Sequence, residues 1–389
     1  MMKLKRLGAL ALALILTLSA LCGCGDRSTG GSSSGPGDSS QTTAMDLSQI
    51  TDPYLAVSGL AADEVVITVG GLEITAADCL YWLNRAIESY LSQFGGAMST
   101  LPWDTEMAEG LTFAQYMLDQ AADSAVFRSL LRQMAQEEGL SPDPSLVSDI
   151  NDKYVNLILQ ADSDETRVIH VLWASLLTKE LSIKLNTDGD LLGQLRERYY
   201  GENSDAYPTD AEVNAYLDEH GCFRVKHILL KTTDQSDEPL EASEIAQKKA
   251  DADNLLAQLR ASEDKITLFD QLMNEYSEDD GLPANPDGYT FDETSSLVGG
   301  FREAALALAV GDISDVVETD YGYHIMLRLP IDPADYRDMY ASDLLNNRID
   351  AERDRLGVTR TAAFDKLDVD SFWNNMQSLQ SAIQAEQAK

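Results

Sequence analysis

Two short runs of alternating character constrain this chain more than anything else in it. Phe223 to Lys231, FRVKHILLK, and Tyr323 to Leu329, YHIMLRL, read as strands, whereas most other long segments repeat their apolar residues at helical spacing. In the first run the period of two puts Phe223, Val225, His227 and Leu229 on one face and Arg224, Lys226, Ile228 and Leu230 on the other. Each run carries a histidine on an apolar stretch. His227 and His324 are two of only four histidines in the chain, which asks for a common explanation. Between the runs the pattern predicts helices over Ile245–Leu259, Thr267–Tyr276 and Phe301–Ala309, with a loop rich in Asp, Pro and Gly before the last. Phe269, Leu272, Met273 and Tyr276 form one amphipathic face.

The flanks are mainly helical. Val65 to Thr75 reads as a hairpin about Gly70-Gly71, followed by a helix from Ala76 with Leu80, Leu83, Ile87 and Leu91 on one side. Further helices are expected over 113–138, 145–159 and 166–184. Tyr116, Met117, Phe127 and Met134 could line a groove for unfolded chains, but core packing is the simpler reading. Pro208-Thr209-Asp210 opens another helix, with Thr209 or Asp210 as its N-cap. Beyond Asp332 the chain is polar and helical, with Leu344, Leu345 and Ile349 as its apolar face, and no internal repeat is present. Asn186-Thr187-Asp188-Gly189-Asp190 is too short a match to a calcium loop, and no metal site is expected.

The first residues place Lys3, Lys5 and Arg6 before an apolar run from Leu7 to Leu21, too short for a comfortable membrane span and in keeping with an export signal. Its end, Leu21-Cys22-Gly23-Cys24, resembles the lipobox of bacterial lipoproteins, with Cys24 as the lipidated residue because small Gly23 precedes it. An ordinary secretory signal cut nearby is the alternative. The signal is expected over 1–23, and a lipidated Cys24 with a Gly/Ser-rich tether over 24–55, too poor in apolar residues to fold. A formal charge of −36, with no basic stripe, excludes nucleic acid as a partner. Cys79 and Cys222 do not make a disulfide framework and are expected as free thiols.

The segment from Phe223 to Leu329 resembles the parvulin-type peptidyl-prolyl cis/trans isomerases. The motifs that carry the resemblance are HIL in the first strand, the helix pair, the turn at Ser277-Glu278-Asp279, the Gly-rich loop, Phe301-x-x-Ala304-Ala305-x-x-Leu308, Gly311-x-Ile313-Ser314, and Thr319-x-x-Gly322-Tyr323-His324-Ile325. With its flanks and leader, the chain is similar to the PrsA and SurA group of exported foldases. That resemblance implies an α+β fold in which a parvulin-like domain, a small mainly antiparallel sheet surrounded by helices, is inserted between mainly helical chaperone-like segments. The expected divisions are 56–207, the isomerase domain over 208–330, and a C-terminal helical segment over 331–389. It also implies that His227, His324 and Thr319 form a hydrogen-bond network, with Asp279 beside the rotating carbonyl. Leu297 and Phe301 would wall the proline pocket, with Tyr323 as the apolar residue beside it. Two departures matter: Leu297 stands where methionine is usual, and Val298-Gly299-Gly300 replaces a segment that commonly brings a polar side chain.

The residues alone leave blander alternatives open. Two histidines bonded to each other or to Thr319 could be satisfied core groups, and Glu278-Asp279-Asp280 could be a solvated acidic turn. The resemblance implies an enzyme without cofactor. Its clients would be unfolded or partly folded exported proteins with X-Pro bonds, and it would be held at the membrane by a lipid anchor. A catalytically silent holdase is the alternative; a solute-binding lipoprotein would need two α/β lobes.

Overall fold

The computed structural model describes residues 45–93, 101–236 and 238–388. The expected signal, Cys24 and the first part of the tether lie outside the described residues. The described residues divide into two compact units, one built from those up to 205 together with 343–388, the other from those between 206 and 342.

In the first unit a three-stranded antiparallel sheet has Val65–Val69 at its centre, flanked by Leu72–Thr75 and by Val358–Arg360. The hairpin is local. The third strand comes from the far end of the chain, pairing Ile67 with Arg360 and Val69 with Val358. The same exchange occurs among the helices. Tyr54, Val57, Leu80 and Ile87 share one core with Leu118 and Leu131 of Phe113–Glu137 and with Phe372, Met376 and Leu379 of Val369–Gln387. Met117 and Met134 are buried in it, Phe127 packs against it, and Tyr116 faces outward. Where one helix was expected over 166–184 there are two, Glu165–Trp173 and Lys179–Tyr200. Leu176 takes a left-handed φ of 52° between them, Thr178 caps the second helix by accepting the Leu181 N–H at 3.1 Å, and the buried Tyr54 hydroxyl donates to the Leu176 carbonyl at 2.7 Å. Asp188, from the stretch that loosely matched a calcium loop, lies inside the second helix, where its carboxylate accepts two bonds from Arg132 at 2.8 and 2.9 Å.

The second unit opens with α1 (Asp210–Glu219), whose N-cap is Thr209 in a reciprocal capping box with Glu212. Then follow β1 (Phe223–Lys231), α2 (Ala242–Ala261), α3 (Lys265–Tyr276), β2 (Tyr289–Phe291), α4 (Phe301–Leu306), β3 (Val317–Thr319) and β4 (Gly322–Leu329). α4 is shorter than the pattern suggested. The sheet order is β2-β1-β4-β3, all antiparallel. One face packs Ile228, Leu230, Tyr323, Ile325 and Leu327 against α2 and α3. The other gathers Phe223, Val225, Met326, Phe301 and Ala305, with Phe291, Leu297 and Val298 at its margin. The α+β architecture is thus as expected. Gly322 has to be glycine, because a Cβ there would sit 2.1 Å from the Leu230 carbonyl oxygen across the ladder.

Candidate active site

The two central strands pair His227 with Met326 and Leu229 with His324, so the pleat sends both imidazoles to the face that carries Phe301. Their rings meet edge to face with centroids 5.4 Å apart, and the Phe301 ring stands at 5.4 Å from His227 and 5.2 Å from His324, nearly perpendicular to both. Phe301 comes from the first turn of α4, and the Gly300 before it takes a φ of 82° that favours glycine. That explains the glycine at the end of Val298-Gly299-Gly300. The loop ahead of it, which carries Leu297, is fastened at its root by Asp292, which accepts the N–H groups of Thr294 and Ser295, each at 2.9 Å.

Asp279 is brought in from the end of α3. The Ser277 hydroxyl accepts the Leu229 N–H at 3.1 Å, and the Glu278 N–H donates to the Leu229 carbonyl at 2.7 Å. Fastened alongside β1 in this way, the loop sets Asp279 Oδ2 at 3.3 Å from His227 Nε2. This is ion-pair distance without hydrogen-bond direction: both ring nitrogens of His227 are buried with no hydrogen-bond partner among the described residues. The same Oδ2 accepts a bond of 2.5 Å from the Tyr289 hydroxyl, and Oδ1 accepts the Gly281 N–H at 3.1 Å. The nearby His227, the Tyr289 hydroxyl and the Gly281 amide hold the Asp279 carboxyl well below the usual carboxylate range, against burial, which pushes it the other way. Burial, with that shared bond and the Asp279 charge, pushes the Tyr289 phenol up to about 12. The site therefore holds a fixed anion beside a protonated phenol.

His324 is almost wholly buried, and burial, followed by the neighbouring His227, lowers its pKa to about 3, so it is neutral. Its Nε2 lies 2.9 Å from Thr319 Oγ1, which is 3.3 Å from the Gly322 carbonyl oxygen and accepts the Tyr321 N–H at 3.2 Å. One proton arrangement satisfies all three: Nε2–H donates to Thr319, whose hydroxyl donates on to Gly322. The other nitrogen of His324, Nδ1, is buried without a partner among the described residues.

His227, His324, Thr319, Asp279 and Phe301 thus converge, with Leu297 at the edge of their apolar patch. The expected network is smaller than the sequence reading had it: Thr319 bonds His324, while His227 turns to Asp279. Tyr323 is not brought to the site. Adjacent to His324 in an extended strand, it points to the opposite face and packs with Leu255, Phe269 and Leu272. Tyr289 was missed; its ring lies parallel to His227 with centroids 5.4 Å apart, and the alternation of Tyr289-Thr290-Phe291 was the available signal. Among the described residues no group of three or more His, Cys, Asp or Glu side chains is placed to hold a metal.

His227, Asp279, Phe301 and His324 all lie within a stretch that matches a known family. Residues 227–329 match the rotamase family, described as the PPIC-type PPIASE domain, and this part of the chain is a parvulin-type peptidyl-prolyl isomerase domain. Beyond it, the chain is similar to a "Foldase protein PrsA" of Geobacillus kaustophilus, 28% identical over 52% of this chain and 61% of that one. A "Foldase protein PrsA" of Caldanaerobacter subterraneus is 27% identical over 70% of this chain and 74% of its own. The match thus spans less than two thirds of the first relative's length. The crystal structure of PrsA from Bacillus subtilis aligns with 72% of this chain and 88% of its own at 18% identity and a TM-score of 0.22.

Proposed function

We propose that this protein is a peptidyl-prolyl cis/trans isomerase and folding chaperone for exported proteins, working outside the cytoplasmic membrane and anchored to it through a lipid on Cys24. The support for that anchor is the lipobox-like Leu21-Cys22-Gly23-Cys24 at the end of the leader; among the described residues no helix is long and apolar enough to cross a membrane. The observation that carries the isomerase reading is the convergence of Asp279, His227, His324 and Phe301: Asp279 lies 3.3 Å from His227, and the two imidazoles and the Phe301 ring meet edge to face.

Rotation about an X-Pro bond must break amide resonance against a barrier of about 20 kcal/mol, and no covalent bond need form. A site accelerates it by binding the twisted amide better than the planar one. Phe301 and Leu297, with Met326 below, offer the pyrrolidine ring a dry surface on which the charge-separated planar form loses its solvation. Asp279 stays ionised because His227, Tyr289 and Gly281 hold it so. Its fixed charge disfavours negative charge on the substrate carbonyl oxygen, which is largest in the planar amide. His324 and Thr319 keep the floor neutral and its geometry fixed. The test is exchange between cis and trans in an Ala-Pro peptide, followed by NMR or protease coupling with the full chain. A rate above the thermal one supports the enzyme. Thermal exchange together with suppressed aggregation of an unfolded protein would instead favour the silent holdase.

A further inference from the structure

We infer that Tyr289 is a positioning residue for the isomerase reaction: through Asp279 it fixes the place and the charge of the one anion in the pocket. This rests on the isomerase reading above. Three observations point to it. The Tyr289 hydroxyl reaches Asp279 Oδ2 at 2.5 Å, the shortest bond that the carboxylate makes. The Tyr289 ring is itself fixed, lying parallel to His227 on one side, 3° between planes, and to Phe291, 11° between planes and centroids 5.8 Å apart. Residue 281 is glycine although its backbone, φ −82° and ψ −14°, is ordinary for any residue; a Cβ there would lie 2.4 Å from the Tyr289 hydroxyl oxygen. Gly281 thus serves Asp279 twice, by donating its N–H to Oδ1 and by leaving room for the phenol that donates to Oδ2.

The consequence is a carboxylate held from three elements, with Oδ2 shared between a phenol and an imidazole edge. The other titratable groups around it are accounted for. His227 faces it from β1, with His324 of β4 behind. Glu278 and Asp280 in its own loop are paired with Lys248 of α2 and Lys231 of β1, both at 2.5 Å. Without the phenol, Oδ2 keeps only the poorly directed approach to His227, so the carboxylate can turn about its Cβ and binds a proton more readily.

The test uses the full chain labelled with ¹³C in its aspartate carboxyls, the Asp279 signal being assigned by its loss in Asp279→Asn. Tyr289→Phe keeps both ring contacts and removes one oxygen. The Asp279 midpoint should move up by about one pH unit or more, and kcat/KM on an Ala-Pro peptide should fall about tenfold at pH 7. Gly281→Ala should reproduce both changes in the native background, and should add little in the Tyr289→Phe background, where the oxygen it would strike is gone. An Asp279 midpoint that stays put in folded Tyr289→Phe overturns the inference, as does a Gly281→Ala effect that adds in full. The titration needs no turnover, so it decides the role of Tyr289 even if the wild-type chain fails to isomerise and the reading beneath it falls.

Discussion

Lowering the pH from 7 to 4.5 should destabilise the second unit through one buried group. His324 has its pKa lowered from 6.5 to about 3, chiefly by burial. Above 6.5 the histidine is neutral in folded and unfolded chains alike and its contribution is fully present. Below 6.5 the unfolded chain takes up a proton that the folded one refuses, so stability falls with pH until about 3. Each pH unit in that window is worth about 1.4 kcal/mol, so the drop to 4.5 costs about 2–3 kcal/mol, a large part of a typical domain's stability. Asp279 adds to the loss only lower, once the unfolded carboxylate begins to protonate. The assay must watch the correct unit. All four tryptophans, Trp82, Trp103, Trp173 and Trp373, lie in the first unit, so their fluorescence would report on the wrong one. The ring Cε1–H signals of the four histidines serve better, each followed against pH and then against urea at pH 7 and 4.5. The His324 signal should not titrate above pH 4, and the urea midpoint read from it should fall at the lower pH. A His324 signal that titrates near 6.5, or a midpoint unchanged by pH, would refute the reasoning.

Three further outcomes are expected. Asp279→Ala should lower turnover at least tenfold while leaving the Phe301 surface in place, checked by peptide exchange at pH 7; unchanged or higher activity would remove Asp279 from the chemistry. Thr319→Val strands the buried His324 Nε2 without its 2.9 Å partner and should cost about 1–3 kcal/mol in urea denaturation, read from the same histidine signals. The loop after β1 runs from Lys231 to Glu241 with one base against Asp234, Asp237, Glu238 and Glu241, so phosphoserine before proline should slow turnover relative to alanine, and added salt should narrow the gap.

The parts of the site that lie within one strand were legible in the sequence, and the parts that depend on two segments meeting were not. Alternation alone set His227 on a face with Phe223 and Val225, and the pleat bears this out. The same rule, applied to Tyr323-His324, would have put Tyr323 on the far side. The family pattern suggested otherwise, and the strand geometry prevails. Tyr289 carries no local mark of its partner, because the contact exists only once the Ser277–Gly281 loop is fastened to β1 and β2 pairs beside it. Likewise Val358–Arg360 is too short to stand out as a strand, and it earns its place only by pairing with Val65–Val69. The break at Leu176 is held by the hydroxyl of Tyr54, distant in sequence, which helical periodicity cannot register.

That distant third strand sets an order of events when the chain is made. A ribosome delivers residues from the N-terminus onward, and Val65–Val69 emerges long before the strand and the helix, Val358–Arg360 and Val369–Gln387, that complete its sheet and its core. Closing so long a loop is slow, and until it closes the apolar residues of the early helices have no lasting cover. Residues 206–342, by contrast, are contiguous and can fold as soon as they appear. The nascent protein therefore passes through a stage in which the isomerase unit is finished while the unit on either side of it in sequence is still open and prone to stick to neighbours. Under the proposed reading as a folding helper, the chain itself is, for that interval, in need of the same help.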